Sequence, residues 1–263
     1  MRHLVKIDSL SIAQRFAKAG ESYHQHAVVQ KQIAFNLVQL MQQNLPQPIS
    51  GHYLEIGCGS GHLSHLLLSA TQQFKIDKYY CNDLYEEVQQ HFTVDPRIKW
   101  LIGDIEQLVL PQALQLLISS SALQWMQDID ALFSKIHTAL APQAFFCFSS
   151  FSQDNLKQIK ALTGQGLDYL SLSQWQAKLE QHGFEVMVLQ EQVEHIYFSH
   201  PLEILKHLKA TGVTATSQHY RWTKQSLQQF YLNYEDFAVA NVQGQLQYPL
   251  TYHPFYCIAR RTT

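Results

Sequence analysis

Residues 54–64 read LEIGCGSGHLS, with glycines at alternate positions (Gly57, Gly59, Gly61) and an acid, Glu55, two residues before the first. Glycines at the carboxyl end of a strand let the backbone turn sharply and approach a ligand that a Cβ would block. An acid closing an otherwise apolar strand needs a partner, and a ligand ammonium group supplies one, directly or through water. Two further acids stand in the same setting. Asp83 ends the run YYCND, where a carboxylate can accept from both hydroxyls of a ribose, and Asp104, in LIGDIEQL, can accept from an adenine amino group while Ile105 packs on the ring. Each aspartate can instead cap a following helix, and a lone glycine loop can be a plain structural turn. Three strand ends in order, each suited to a different part of one nucleoside, point together to S-adenosylmethionine.

Other chemistries fit less well. The GxGxG spacing, without a lysine followed by serine or threonine, matches neither the dinucleotide fingerprint nor the phosphate-cradling loop. Among the fourteen histidines, His62 and His65 lie three apart, but no HExxH or comparable zinc pattern occurs, so no metal is expected. Cys58, Cys81, Cys147 and Cys257 form no CxxC pair and fall in or beside apolar runs, as buried thiols do in a reducing cytoplasm.

The elements that must position these acids follow from periodicity. Apolar residues at spacings of three and four predict helix over residues 9–45, ending at Pro46 and Pro48. Short apolar runs then alternate with helical stretches: YLEI at Tyr53, KYYCN at Lys78, IKWLI at Ile98, LQLLIS at Leu114 and AFFCFSS at Ala144. That alternation predicts right-handed crossovers and a mainly parallel sheet covered on both faces. Helices are expected over 156–162, 173–182, 201–210 and 224–239, interrupted by the strand-like VMVLQEQVEHIYF. The run YPLTYHPFYCIAR is the final strand, and Pro249 and Pro254 within it predict an edge position or a bulge.

With 263 residues, 46% of them hydrophobic, the chain can bury one substantial core, so a single domain is expected. The formal charge of −2 gives no field to attract nucleic-acid phosphates or anionic lipid. The polar start and the lack of a long apolar stretch predict a cytoplasmic protein with no membrane span.

LEIGCGSG, the strand-end Asp83, GDIEQL and LQLLISS followed by ALQWM resemble the class I S-adenosylmethionine-dependent methyltransferase superfamily over residues 51–151. SYHQHAVVQ at Ser22, ALQWM at Ala122, LKATGVTA at Leu208 and YPLTYHPFYCIARR at Tyr248 resemble, more narrowly, the malonyl-acyl carrier protein O-methyltransferase family of biotin synthesis. The terminal segments carry that narrower likeness, since cofactor motifs are shared by enzymes with very different substrates.

The resemblance implies an α/β, doubly wound, mainly parallel seven-stranded sheet with an antiparallel last strand and helical lid insertions. One methyltransferase domain would span 1–263: a helical lid over 1–48, a cofactor core over 49–151, and strands with substrate-facing helices over 152–263. The implied cofactor set is Glu55, Gly57, Cys58, Gly59, Gly61, Asp83, Leu84, Asp104, Ile105, Ser119 and Ser120. The chain departs from the family pattern at Gln115, at Ser119 and Ser120, and at Gln143 with its neighbours, where relatives usually carry a double glycine.

The implied reaction moves a methyl group from the sulfonium to the free carboxylate of a malonyl thioester borne by acyl carrier protein or coenzyme A. A carboxylate is already ionised at neutral pH, so no general base is needed and catalysis reduces to positioning and exclusion of water. Tyr23 in the amino-terminal segment is a candidate lid residue, Trp125 a pocket wall, and Lys206 or Lys209 a partner for the substrate carboxylate. Lys206, Lys209, Arg221, Lys224, Arg260 and Arg261 outnumber Glu203, Glu235 and Asp236, a local excess suited to an acidic carrier protein. Competing readings are another small carboxylate or carbon acceptor, a nucleoside-binding protein without transfer activity, and a nicotinamide oxidoreductase.

Overall fold

A computed structural model describes residues 28–211 and 222–262, which fall into two compact units. The first comprises 28–150, 170–191 and 255–262; the second comprises 151–169, 192–211 and 222–254. Tyr23 and Arg221 lie outside the described residues, as do most of SYHQHAVVQ and the end of LKATGVTA.

In the first unit the elements are α1 (Val28–Asn44), β1 (Ile49–Ile56), α2 (His62–Ser69), β2 (Phe74–Asp83), β3 (Ile98–Ile102), β4 (Leu114–Ser120), α3 (Ile129–Ala139) and β5 (Leu140–Phe151). It is completed by α5 (Leu172–Gln181), β6 (Phe184–Glu191) and β10 (Pro254–Arg261), with α4 (Lys157–Thr163) falling in the second unit. The seven strands are ordered β3-β2-β1-β4-β5-β10-β6. The pairs from β3 through β5 are parallel, and β10 runs antiparallel to β6. This is the doubly wound sheet that the alternating pattern predicts, with its order reversing beside β1.

Strand alternation sorts β1 between two faces. Leu54 and Ile56 enter a core cluster with Phe133 of α3, Phe146 and Phe148 of β5, Trp175 of α5 and Phe255 of β10. Phe146 and Phe148 stack at 4.7 Å, and Phe133 meets Phe146 edge-on at 5.7 Å. Truncating such a ring to alanine costs about 3–5 kcal/mol. Tyr53 and Glu55 point the other way, toward Tyr79 and α2. α1 packs against α2 and β4 through Ile33, Leu37 and Met41, the apolar stripe visible in the sequence.

The second unit holds α4 (Lys157–Thr163), β7 (Glu194–Phe198), α6 (Pro201–Ala210), α7 (Lys224–Tyr234), β8 (Val239–Ala240) and β9 (Leu246–Tyr252). Its three-stranded antiparallel sheet is ordered β7-β9-β8. α7 packs on α4 and α6, and the buried Tyr234 hydroxyl donates to the Pro249 carbonyl at 2.8 Å.

Three expectations are corrected. The run VMVLQEQVEHIYF is two strands, β6 and β7, in different sheets. The helix from Lys224 ends at Tyr234, and Val239 belongs to β8. The final run is also two strands, and neither is an edge: β9 is the centre of the small sheet and β10 lies between β5 and β6, while β10 does shift register against β6 between Ile258 and Ala259, away from both prolines. The prolines are accommodated locally. Pro254 is the first residue of β10, and Pro249 lies beyond the two residues of β9 that pair with β8, where no ladder bond is demanded on that side.

Candidate functional site

The carboxyl ends of β1, β2 and β3 carry the three acids. Gly57, Gly59 and Gly61 all have positive φ (70°, 50° and 77°), a region costly for any residue with a Cβ. The surroundings divide their roles. A Cβ at Gly57 would lie 2.5 Å from the Ala122 Cβ, and one at Gly61 would lie 2.9 Å from His65 and Phe92, so both are required by packing as well. A Cβ at Gly59 would meet nothing within 4 Å. That open position is where a ligand can approach the backbone.

The loop is tied to the strand ends. Gly59 N–H donates to Asp83 Oδ2 at 2.8 Å, Cys58 N–H to the Asn82 carbonyl at 2.9 Å, and Gly61 N–H to the Cys58 carbonyl at 2.9 Å. Asp83 Oδ1 also accepts from Leu84 N–H at 2.7 Å. Burial pushes the Asp83 carboxyl up to about 6, and the N–H groups of Gly59, Leu84 and Tyr85 pull against that rise. Asn82, not singled out from sequence, is buried and donates to the carbonyls of Leu101 (2.8 Å) and Gly103 (3.0 Å), locking the end of β2 to that of β3. Gly103 N–H donates in turn to the Asp83 carbonyl at 2.8 Å, so the residue just before Asp104 is tied to the end of β2. Asp104 Oδ1 accepts from Glu106 N–H at 2.9 Å, so it caps the turn after β3.

Glu55 is 1% exposed, and both Ser64 Oγ and the Tyr79 hydroxyl (2.6 Å) donate to its Oε2. Burial raises its carboxyl to about 7, while the two hydroxyl hydrogen bonds favour the charged form. The Cys58 thiol is held well above its ordinary range by its hydrogen bond to Cys81 and by burial, which makes it no nucleophile. Ile105 is buried in the core cluster that includes Leu110 and Leu123.

At the end of β4, Ser119 is fully buried and its hydroxyl donates to the Ile56 carbonyl at 3.0 Å, while Ser120 and Ser149 share a 3.1 Å hydrogen bond. The next residue, Ser121, has φ 56°, and its buried hydroxyl has no hydrogen-bond partner among the described residues. An open Gly59 and an orphaned Ser121 hydroxyl at neighbouring strand ends fit a polar ligand laid across the tops of β1 and β4. Trp125 follows, half-buried in a short 3-10 turn (Leu123–Trp125). That loop is anchored by Glu106, another residue missed from sequence, which accepts from the N–H groups of Gln127 and Asp128.

In the second unit Lys206 and Lys209 are exposed and three apart on α6, hence on one helix face. Arg260 pairs with Glu185 and Arg261 donates to the Leu140 carbonyl, so both are engaged within the large sheet. The basic residues on the described helices of the second unit's carboxyl-terminal part therefore reduce to Lys206, Lys209 and Lys224. The four cysteines are buried free thiols. Among the described residues no His, Cys, Asp and Glu cluster can hold a metal, and no helix is long and apolar enough to cross a membrane.

Comparison with known proteins agrees with this geometry. The model of a methyltransferase domain matches residues 29–215. The chain is 48% identical to the malonyl-[acyl-carrier protein] O-methyltransferase of Acinetobacter baylyi, over 98% of this chain and 99% of that protein. It is 36% identical to the enzyme of the same name from Haemophilus influenzae, over 99% and 97%. Among solved structures, an S-adenosylmethionine dependent methyltransferase from Mesorhizobium loti superposes with a TM-score of 0.51 at 17% identity, covering 85% of this chain and 96% of the other. A Bacillus halodurans crystal structure described as a methyltransferase candidate gives 0.63 at 16%, covering 86% and 99%. At such identities these two show the fold alone. The full-length likeness shows more, and the chain belongs to the malonyl-[acyl-carrier protein] O-methyltransferase family of class I methyltransferases.

Proposed function

We propose that the protein transfers a methyl group from S-adenosylmethionine to the free carboxylate of malonyl-acyl carrier protein, giving the methyl ester that opens pimeloyl formation in biotin synthesis. The observation that carries the acceptor is the 48% identity to a malonyl-[acyl-carrier protein] O-methyltransferase, since it runs over 98% of the chain and so through both units. When bound, the donor supplies an electrophilic methyl on sulfur. A carboxylate oxygen takes that methyl as the carbon–sulfur bond breaks, so no proton changes hands and no base is needed.

The chain's own residues then bind and orient. Gly59 gives the donor access to the backbone, Glu55 takes its ammonium group, Asp83 its ribose hydroxyls and Asp104 its adenine amino group. Gly57, Cys58 and Gly61 shape the loop, Leu84 fixes the Asp83 carboxylate through its N–H, and Ser119 and Ser120 set the end of β4. Ile105 supports the nucleobase side from the core, and Trp125 walls the transfer site. Holding reactants in attack geometry and excluding water can supply about 7–11 kcal/mol, enough to make positioning the main catalytic effect. Tyr23 serves as a lid residue. Lys206 and Lys209 offer an anionic acceptor an exposed cationic face, with the cytoplasm as the setting.

The test is direct: purified protein, S-adenosylmethionine and malonyl carrier protein should yield methyl ester and S-adenosylhomocysteine in equal amounts. No turnover with malonyl carrier protein or malonyl-CoA would refute the assignment.

A further inference from the structure

Glu55 is a costly residue to bury, and the structure shows how that cost is managed. In the β1–β2 pairing Cys81 stands directly beside Glu55, and Tyr79 is two residues earlier on the same face of β2, close enough for its phenol to reach across. Ser64 approaches from the first turn of α2 and is fully buried. Both hydroxyls converge on Oε2 and neither addresses Oε1. An acid needed only for packing would be better replaced by an apolar residue, because a buried carboxylate satisfied by hydroxyls alone does not recover its desolvation cost. The arrangement makes sense if the carboxylate is kept charged for a cation that arrives later.

We propose that Tyr79 and Ser64 are positioning residues that hold the Glu55 carboxylate by one oxygen, keeping it ionised and presenting the other to the ammonium group of the methyl donor. This rests on the reading of Glu55 as the donor's acid. Among the described residues, the groups acting on the Glu55 carboxyl are Ser64 of α2 and Tyr79 and Asp83 of β2, with the Cys58 thiol of the glycine loop and Cys81 beside it, whereas β4 places the apolar Ile118 opposite. Asp83 adds a like charge, which further disfavours ionisation of Glu55. The two hydroxyl hydrogen bonds therefore oppose burial and Asp83 in setting how much of Glu55 is charged near neutral pH. Deleting either should leave more of it protonated and weaken the donor's hold, and raising the pH should restore it.

The experiment is calorimetric binding of S-adenosylmethionine to the full chain and to Tyr79→Phe, Ser64→Ala and Glu55→Gln between about pH 6 and 9. Each variant is read as a ratio to the parent, in which the donor's own titration cancels, and the thermal midpoint of each apoprotein is recorded alongside. Tyr79→Phe should bind about five-fold more weakly at pH 7, the loss that a rise of about one unit gives for a Glu55 carboxyl at about 7, and approach the parent toward pH 9. Ser64→Ala should move in the same direction. Glu55→Gln should be weak at every pH, with no recovery. A Tyr79→Phe ratio that is flat with pH, whatever its effect on the thermal midpoint, overturns the positioning role while leaving Glu55 as the donor's acid. Parent-like binding by Glu55→Gln overturns the reading of Glu55 itself.

Discussion

The two units handle polar residues in opposite ways. In the first, the acids at the carboxyl ends of β1 and β2 are withdrawn from solvent and cross-bonded: buried Glu55 to Ser64 and Tyr79, half-buried Asp83 to the N–H groups of Gly59 and Leu84. In the second, the cations that suit an anionic acceptor, Lys206 and Lys209, stand exposed on one face of α6. A small donor of fixed shape calls for preorganised groups whose desolvation is met by the fold, whereas a carrier protein can be gathered by solvated charges that cost little to keep. Substitutions in the first unit should accordingly have large, pH-sensitive effects on donor binding, and those on α6 should have small, salt-sensitive effects on the acceptor.

The largest effect is expected where a side chain enters the open position. Gly59 and Gly164 both have positive φ, and a Cβ on either meets nothing within 4 Å, but Gly164 caps α4 in the second unit. Leucine at either should cost a similar backbone strain of about 1–2 kcal/mol. Only Gly59→Leu should lose donor affinity, by about two orders of magnitude or about 2.7 kcal/mol. Equal losses of affinity by calorimetry would erase the contrast between the units.

Glu55→Gln should separate function from stability. Its carboxyl is raised from 4.5 to about 7 by burial, so the stability Glu55 contributes is complete below 4.5 and is lost as pH rises through about 7. Donor binding needs the charged form and runs the other way. Thermal melts of the apoprotein should show Glu55→Gln gaining on the parent as pH is raised from 5 to 8, while its donor affinity falls about ten-fold or more. A stability difference that does not move toward the variant between pH 5 and 8 would contradict the burial argument.

On α6, replacing both Lys206 and Lys209 by alanine should raise KM for malonyl carrier protein about three- to ten-fold at low salt and leave malonyl-CoA nearly unaffected. The difference should shrink in high salt. The smallest change concerns Gln143, which holds φ 64° in β5, in the left-handed region that favours glycine. Gln143→Gly should raise stability by up to about 1 kcal/mol in denaturant titrations, with donor affinity unchanged.

The same contrast governs what the sequence disclosed. Glu55, the three glycines, Asp83 and Asp104 were legible because their chemistry is local: an acid or a glycine closing an apolar run weakens the strand unless a turn or a ligand requires it there. Ser64, Tyr79, Asn82 and Glu106 were not, because each acts through a partner 9 to 24 residues away that only strand register or loop closure supplies. Ser64 lies inside the glycine motif and Asn82 beside Asp83, so a search for polar residues flanking the strand-end acids would have found both. The parallel sheet followed from alternation, but VMVLQEQVEHIYF and YPLTYHPFYCIAR read as single strands because a continuous apolar run carries no mark of where it changes sheets. Pro254 was that mark at the second break, where it opens β10.

The central claim is that this chain methylates the free carboxylate of a malonyl thioester using a donor held by Glu55, Asp83 and the open Gly59. Its most direct test is transfer of labelled methyl from S-adenosylmethionine to malonyl carrier protein, with the product treated by mild alkaline hydrolysis. Label released as methanol in step with S-adenosylhomocysteine is the result expected of a methyl ester. Donor binding without transfer, or label stable to alkali, would contradict it.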